Sequence, residues 1–115
     1  MRSSISASEY GRLAETLAAM SLRLRGYRIV ARNVRVAGRE IDVVARRGRT
    51  LVVCEVKARR SRSRGAPAEA VDLRKRRRMV EAGGMLLAAH PGTDRVRFDV
   101  IAVDGLRVSH LPAAF

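Results

Sequence analysis

The sequence predicts a single α/β domain, in which a mixed β-sheet is flanked by helices in the order α-β-β-β-α-β-β. The chain has 115 residues, which is the usual size of one domain. Its hydrophobic content of 47% is enough for one modest core and argues against disorder. Segments with apolar residues at helical spacing alternate with segments rich in β-branched residues, which indicates helices interleaved with strands.

The first predicted helix follows a loose polar tail of residues 1–8 and opens a domain that spans residues 9–115. It runs from about Ser8 to Arg25, because four apolar residues recur at spacings of four, three and four. Such a stripe is normally the side by which a helix packs. Gly26 is a typical residue for the C-terminal stop. The stripe consists of Leu13, Leu17, Met20 and Leu24.

The remaining elements follow from β-branched runs and from turn residues. A second helix is predicted from Ala68 to His90, although Gly83 and Gly84 each weaken its interior by roughly 1 kcal/mol relative to alanine. Residues 60–67 are predicted to form a loop. The predicted strands are Tyr27 to Val36, Arg39 to Arg46, Leu51 to Arg59, Arg95 to Val103 and Leu106 to Leu111.

The charge of the chain predicts a polyanionic partner. Its net charge is +13, from 24 Lys+Arg against 11 Asp+Glu. Nucleic acid is the first candidate partner and an acidic membrane surface is the second. The alternative is that the arginine content reflects compositional bias of the genome alone. The few aromatic residues are scattered, which favours recognition of a nucleic-acid backbone and shape over base stacking.

Cysteine usage and hydropathy suggest a cytoplasmic protein that does not enter a membrane. Cys54 is the one cysteine, so no internal disulfide can form, and its Val-rich strand makes it a small buried hydrophobe. Neither histidine is near it in sequence, which disfavours a nucleophilic role. The N-terminus has no apolar stretch resembling a signal peptide. No apolar run approaches the roughly 18 residues that a membrane span needs.

Two carboxylates and a lysine are predicted to share one site on the sheet. Side chains alternate along a strand, so Glu55 and Lys57 lie on one face of the third strand. If residues 48–49 form a two-residue hairpin loop, Arg47 lies opposite Thr50, and counting back places Asp42 opposite Glu55. Their Cβ atoms would then be roughly 4.5–5.5 Å apart.

Like charges in that relation are destabilising unless a cation lies between them. A hard divalent ion such as Mg²⁺ or Mn²⁺ prefers oxygen ligands and suits the pair. Such an ion with a lysine beside it suits phosphodiester hydrolysis, because the ion activates water and the lysine orients it or offsets charge on the phosphate. The alternative is that Glu55 and Lys57 simply lie on the exposed face of an amphipathic strand.

Five motifs resemble the bacterial YraN-like family, a group of small and largely uncharacterised proteins. The resemblance covers nearly the whole chain, from about Glu9 to Phe115, and implies a restriction-endonuclease-like fold. One departure is Arg39, which stands where the family often has glycine before Glu-Ile-Asp. The motifs are GRLAE (Gly11 to Glu15), GYRIVARN (Gly26 to Asn33), EIDVV (Glu40 to Val44), VVCEVKAR (Val52 to Arg59) and RFDVI (Arg97 to Ile101).

The resemblance implies membership of the PD-(D/E)xK nuclease superfamily, which includes archaeal Holliday-junction resolvases. On that basis Asp42, Glu55 and Lys57 occupy the metal-binding and catalytic positions, the carbonyl of Val56 adds a metal ligand, and Glu15 assists. The sequence itself leaves Glu15 open, because on a helical wheel it points away from the apolar stripe. Glu15 reaches the site only if the first helix contacts the sheet by its alanine side; otherwise it is a solvated carboxylate.

Two basic segments are predicted to bind nucleic acid near this site. The first leaves the third strand and contains Arg59, Arg60, Arg62 and Arg64; the second lies early in the second helix and contains Lys75, Arg76 and Arg77. Both could hold a phosphate backbone through counterion release, or they could be merely solvated. Arg97 and Asp99 alternate in a later strand, where a structural ion pair is favoured.

The sequence therefore predicts a metal-dependent DNA endonuclease, for which a homodimer acting on branched DNA is one arrangement. The alternative is a non-catalytic nucleic-acid-binding protein that retains the nuclease fold. A third reading is a basic protein that docks on an acidic partner or on ribosomal RNA.

Overall fold

The computed structural model describes residues 6–59 and 73–114. Its element order confirms the predicted α-β-β-β-α-β-β arrangement. The predicted loop at residues 60–67 and the predicted start of the second helix at Ala68 lie outside the described residues. The elements are α1 (Ala7–Leu24), β1 (Arg28–Val36), β2 (Arg39–Arg47), β3 (Thr50–Arg59), α2 (Leu73–Ala89), β4 (Arg95–Asp104) and β5 (Arg107–Leu111).

The five strands form one mixed sheet in the order β1-β2-β3-β4-β5. Tight turns join β1 to β2, β2 to β3, and β4 to β5, and each of these pairs is antiparallel. Gly48 has φ +61° in the turn between β2 and β3, a conformation that glycine adopts without strain. β3 and β4 are parallel, since the segment containing α2 carries the chain back between them.

The two helices cover opposite faces of the sheet, so the central strands are buried on both sides. Cys54 lies in the α1-side core, as a buried small residue should. None of the helices within the described ranges is long and apolar enough to cross a membrane. The sheet residues of the α1-side core include Val43, Ala45, Val52, Cys54, Ile101 and Val103. The α2-side core includes Ile41, Val44, Leu51, Val53, Met79, Ala82 and Leu86.

α1 packs against the sheet by its alanine side, and most of the leucine stripe lies away from the core. Met20 is 50% exposed and Leu24 is 87% exposed, while Leu13 is also exposed and Leu17 is only partly buried. Small alanines let the helix axis approach the sheet closely, and a larger residue anchors each end of this contact. The buried residues of α1 are Tyr10, Ala14, Ala18, Ala19 and Leu22.

The ends of α1 are set by local hydrogen bonds. Ser6 is the N-cap: its side chain accepts from the Glu9 amide at 3.1 Å, and its own amide donates to the Glu9 carboxylate at 2.8 Å. The helix therefore begins inside the segment predicted as a tail of residues 1–8. It ends near Gly26, whose φ of +90° confirms the predicted stop.

A glycine in the interior of α2 allows this helix to lie close to the sheet. A Cβ atom on Gly83 would be 2.8 Å from Cζ of Phe98, whereas a Cβ on Gly84 would meet nothing within 4 Å. The two glycines that weaken the helix in isolation therefore differ in tertiary context. Only the buried Gly83 is required by packing.

Candidate functional site

The predicted hairpin register is confirmed along β2 and β3. Arg47 pairs with Thr50, and the ladder continues to Val43 opposite Cys54. The next pair in this register would be Asp42 and Glu55, but the ladder stops before it. The two predicted carboxylates therefore lie where the strands cease to pair.

Asp42 lies at a break in the alternation of β2. Val43 belongs to the α1-side core, whereas Ile41, two residues earlier, belongs to the α2-side core, so the two side chains do not share one face as they would in a regular strand. The neighbouring strand is distorted at the same level, where Asn33 has φ +52°. The break lets the Asp42 carboxylate turn toward β3, where it accepts a hydrogen bond of 2.8 Å from the amide of Val56. A side chain thus replaces a backbone acceptor at the end of the ladder.

A cavity of about 150 Å³ brings the two carboxylates together. It opens at the end of the β2–β3 ladder and reaches α2 through Met79. The structure thus places Asp42 and Glu55 in one site, in agreement with the prediction from the hairpin. The lining residues are Arg39, Glu40, Ile41, Asp42, Cys54, Glu55 and Met79.

The two carboxylate oxygens of Glu55 have different surroundings. Its Oε2 accepts a hydrogen bond from Lys75 and lies 3.2 Å from Nζ of Lys57 and 3.9 Å from Nη2 of Arg39. Burial alone would raise the pKa of Glu55, but the Lys75 hydrogen bond and the charge of Lys57 outweigh it and lower the pKa. Oε1 is buried and has no hydrogen-bond partner among the described residues. One oxygen of this carboxylate is saturated, and the other is available to a ligand.

The pKa of Asp42 is shifted in the opposite direction to that of Glu55. Burial is the main cause that raises the pKa of Asp42, and the charges of Glu15, Glu55 and Glu40 raise it further, against the Val56 hydrogen bond. The influence of Glu15 follows from the alanine-side packing of α1, which is the condition under which the sequence allowed Glu15 to approach the site. Glu15 is half-buried. A cation that neutralised this group of carboxylates would relieve their repulsion.

The described residues do not form a closed metal centre. Within residues 6–59 and 73–114, no three His, Cys, Asp or Glu side chains are gathered so as to hold an ion by themselves. The donors present are carboxylate oxygens, including the unpartnered Oε1 of Glu55, and they suit a hard divalent ion in chemistry. The ligand set implied for Asp42, Glu55, Val56 and Glu15 therefore stays a prediction.

The predicted nucleic-acid-binding residues fall into four groups. Lys75 donates a hydrogen bond to Glu55 at the site, whereas Arg76 and Arg77 are exposed on α2. Arg59 is half-buried at the end of β3. The side chains of Arg60, Arg62 and Arg64 lie outside the described residues.

Arg39 is a site residue that the sequence did not reveal. Its guanidinium approaches Glu55, and its Nε donates to Sδ of Met79 at 3.1 Å. It was notable in the sequence only as a departure from the family pattern. Its position three residues before Asp42, at the start of the same strand, is the signal that could have placed it at the mouth of the site.

A second polar cluster surrounds Asp99, which is fully buried. It accepts two hydrogen bonds from Arg97, at 2.9 and 2.8 Å, one from His110 at 2.6 Å, and one from the Ala113 amide at 3.0 Å. Burial would raise the pKa of Asp99, but these donors outweigh it and lower the pKa. Arg97 also donates to the Tyr27 hydroxyl at 2.7 Å. The favoured ion pair is present, and it ties the C-terminal segment to the sheet.

The chain is similar to a family and to several bacterial proteins along most of its length. A model described as "Uncharacterised protein family UPF0102" matches residues 14–103. A UPF0102 protein of Anaeromyxobacter dehalogenans is 46% identical over 110 residues, which cover 91% of this chain and 82% of that protein. A UPF0102 protein of Syntrophotalea carbinolica is 45% identical over 111 residues, with coverages of 91% and 89%. One from Kineococcus radiotolerans is 50% identical over 95 residues, with coverages of 81% and 78%.

Proposed function

The chain belongs to the UPF0102 family, the YraN-like family that its motifs resemble, and on that premise we propose that it is a metal-dependent DNA endonuclease. One observation carries the proposal. Asp42 and Glu55 line the same cavity, and Lys57 lies beside Glu55. Two carboxylates with an adjoining lysine suit phosphodiester hydrolysis with a divalent ion, because they can hold the ion and supply a cation to the phosphate.

The carboxylates are the residues that would hold Mg²⁺ or Mn²⁺. Oε1 of Glu55 needs a partner, and Asp42 is fixed by the Val56 amide with its second oxygen left to bind. Glu15 adds negative charge from α1. The bound ion would supply Lewis acidity, by polarising a phosphoryl oxygen and lowering the pKa of a bound water.

We assign to Lys57 the role of assisting the chemistry. Its side chain is 21% exposed, so its ammonium is partly shielded from water yet can be reached by a substrate. Oε2 of Glu55 lies 3.2 Å from its Nζ, which orients the ammonium. From there it donates to the attacking water or to a phosphate oxygen, where negative charge grows in the transition state.

The charges around the cavity are suited to a phosphodiester. Four carboxylates influence the site, and three cations surround Glu55, so these groups carry a net charge of about −1. A divalent ion would bring the sum to about +1, which complements one phosphate. The carboxylates are Glu15, Glu40, Asp42 and Glu55, and the cations are Arg39, Lys57 and Lys75.

The basic surface supports DNA as the substrate. The net charge of +13 favours a nucleic-acid backbone, and the exposed Arg76 and Arg77 extend the positive charge of α2 away from the cavity. Arg59, Arg60, Arg62 and Arg64 follow the candidate site directly in the chain. Two copies acting on opposite strands would suit a branched DNA, and a cytoplasmic location accords with this substrate.

Cleavage of labelled DNA by Glu55→Ala tests the proposal. Wild type should release products from linear, flapped or four-way DNA with Mg²⁺ or Mn²⁺ and none with chelator, whereas the variant should bind without cleaving. Glu81→Ala is the matched control, because Glu81 is an exposed carboxylate of α2. This variant should cleave as wild type does. Equal inertness of wild type and Glu55→Ala at every metal concentration would remove support for catalysis.

The second candidate function is DNA binding without turnover. Two lysines already lie on Oε2 of Glu55, and within the described ranges no three His, Cys, Asp or Glu side chains lie close enough together to hold an ion. Both observations favour binding without turnover. It predicts affinity that falls steeply with salt and does not depend on divalent ions. Binding measured over a salt series, with Mg²⁺ and with chelator, distinguishes the two functions.

A further inference from the structure

Lys75 differs from its neighbours in the basic run of α2. Residues 74–78 are all arginine or lysine, and of these only Lys75 is half-buried, while the other four are exposed. Its side chain reaches across to β3 and donates a hydrogen bond to Oε2 of Glu55. A charge that could lie in water is instead placed on the candidate metal-binding carboxylate.

This contact exceeds what Glu55 needs for charge balance. Lys57, on the same strand, already lies 3.2 Å from Oε2, and Arg39 adds a third positive charge at 3.9 Å. All three cations approach the same oxygen, while the buried Oε1 has no partner in the described part of the chain. Lys75 thus supplies, from a different element, positive charge of the kind that a divalent ion would supply.

We propose that Lys75 is a positioning residue that neutralises Glu55 before a divalent ion binds and then moves its ammonium to the phosphate of the substrate. The inference rests on the proposed function of the site. An ammonium and a divalent ion on one carboxylate repel each other, so binding of the ion weakens the Lys75 contact. The released ammonium remains beside the cavity, where a phosphodiester offers it a new partner.

The proposal predicts opposite effects of Lys75 on two ligands. In the absence of DNA, Lys75 competes with the divalent ion, so its removal should tighten Mn²⁺ binding by about tenfold. With Mn²⁺ bound, its removal takes away a phosphate contact and should weaken DNA binding. A residue with a merely structural role would not move the two affinities in opposite directions.

Mn²⁺ titration of the full-length chain without DNA tests the competition. Calorimetry and the shift in Tm with Mn²⁺ report binding independently of activity. Lys75→Met removes the charge and keeps the aliphatic stem, and Lys75→Gln does so with a donor retained, in case the first variant folds poorly. Arg77→Met is the matched control, because it removes one exposed positive charge from the same helix. Lys75→Arg keeps the charge and should bind Mn²⁺ as wild type does.

The outcomes separate this inference from the proposed function. Mn²⁺ binding that is about tenfold tighter in Lys75→Met and Lys75→Gln, but unchanged in Arg77→Met, supports it. Binding in Lys75→Met no tighter than in Arg77→Met overturns it, even if wild type cleaves DNA. No Mn²⁺ binding by any variant removes the metal from the proposed function and overturns the inference with it. A double-mutant cycle of Lys75→Met with Glu55→Gln, measured on metal-free stability, must also show coupling.

Discussion

Replacement of Asp99 by asparagine should destabilise the protein strongly, although it changes only one non-hydrogen atom. The carboxylate is fully buried and accepts four hydrogen bonds, two of them from the Arg97 guanidinium. Asparagine has one acceptor oxygen, and its amide group would direct a donor at another donor. Removing one partner of a buried ion pair costs about 3–5 kcal/mol.

The expected loss lies near the lower end of that range, at about 3 kcal/mol, because the Arg97 side chain is 28% exposed. The unfolding entropy is about 2.1 cal/mol/K per residue, so over 115 residues Tm should fall by about 12 °C. Urea and thermal unfolding followed by far-UV circular dichroism measure both quantities. Asp94→Asn is the control, since its ion pair with Arg49 lies on the surface, where water screens it, and should contribute little to stability.

Lowering the pH should reduce the difference in unfolding free energy between wild type and Asp99→Asn. The folded protein holds the pKa of Asp99 below its ordinary value, so the stabilisation is complete above that ordinary value, about 3.9. It should be lost as the pH falls from there through the lowered pKa. A loss no larger than that of Asp94→Asn at pH 7, or a difference that does not shrink in acid, would refute the reasoning.

Three further predictions concern the site and the helices. Asp42→Asn should raise the metal-free free energy of unfolding at pH 7, because the raised pKa means that folding disfavours the ionised carboxylate. The gain should shrink as the pH falls through the raised pKa and vanish below the ordinary pKa of an aspartate, and a pH series of urea melts checks it. Ala18→Leu should cost about 1–3 kcal/mol by overpacking, whereas Leu24→Ala, at an 87% exposed position, should cost less than about 0.5 kcal/mol in the same assay. Gly83→Ala should destabilise, because its Cβ would lie 2.8 Å from a ring carbon, while Gly84→Ala should stabilise by about 0.5–1 kcal/mol; equal effects on Tm would contradict this packing.

Local chain geometry explains why the hairpin could be predicted. A two-residue turn fixes the register of both strands, so placing Gly48 and Arg49 in the loop is enough to bring Asp42 level with Glu55. The turn could not reveal that the ladder ends one pair earlier. That depends on the break at Asp42 and on the distorted strand beside it, which are properties of three strands together.

Helix periodicity located α1 but not the side by which it packs. The stripe that contains Met20 is more hydrophobic than the opposite side, where Ala14 and Ala18 are weak signals on any hydrophobicity scale. Close approach to the sheet favours the small side, and the sequence alone does not state the distance between helix and sheet. The same limit hid the contact of Arg39 with Glu55, because it depends on how far a long side chain reaches across the end of the hairpin.

The central claim is that Asp42 and Glu55 form a metal-dependent centre for phosphodiester hydrolysis. The most direct measurement is the rate at which wild type and Asp42→Asn cleave labelled four-way DNA with Mg²⁺. Wild type should cleave with Mg²⁺ and not with chelator. The variant keeps an acceptor for the Val56 amide but should be slower by at least about 100-fold, since even a supporting partner of a metal ligand is worth about 10–100-fold. Equal rates for both proteins, or no cleavage by wild type, would contradict the claim.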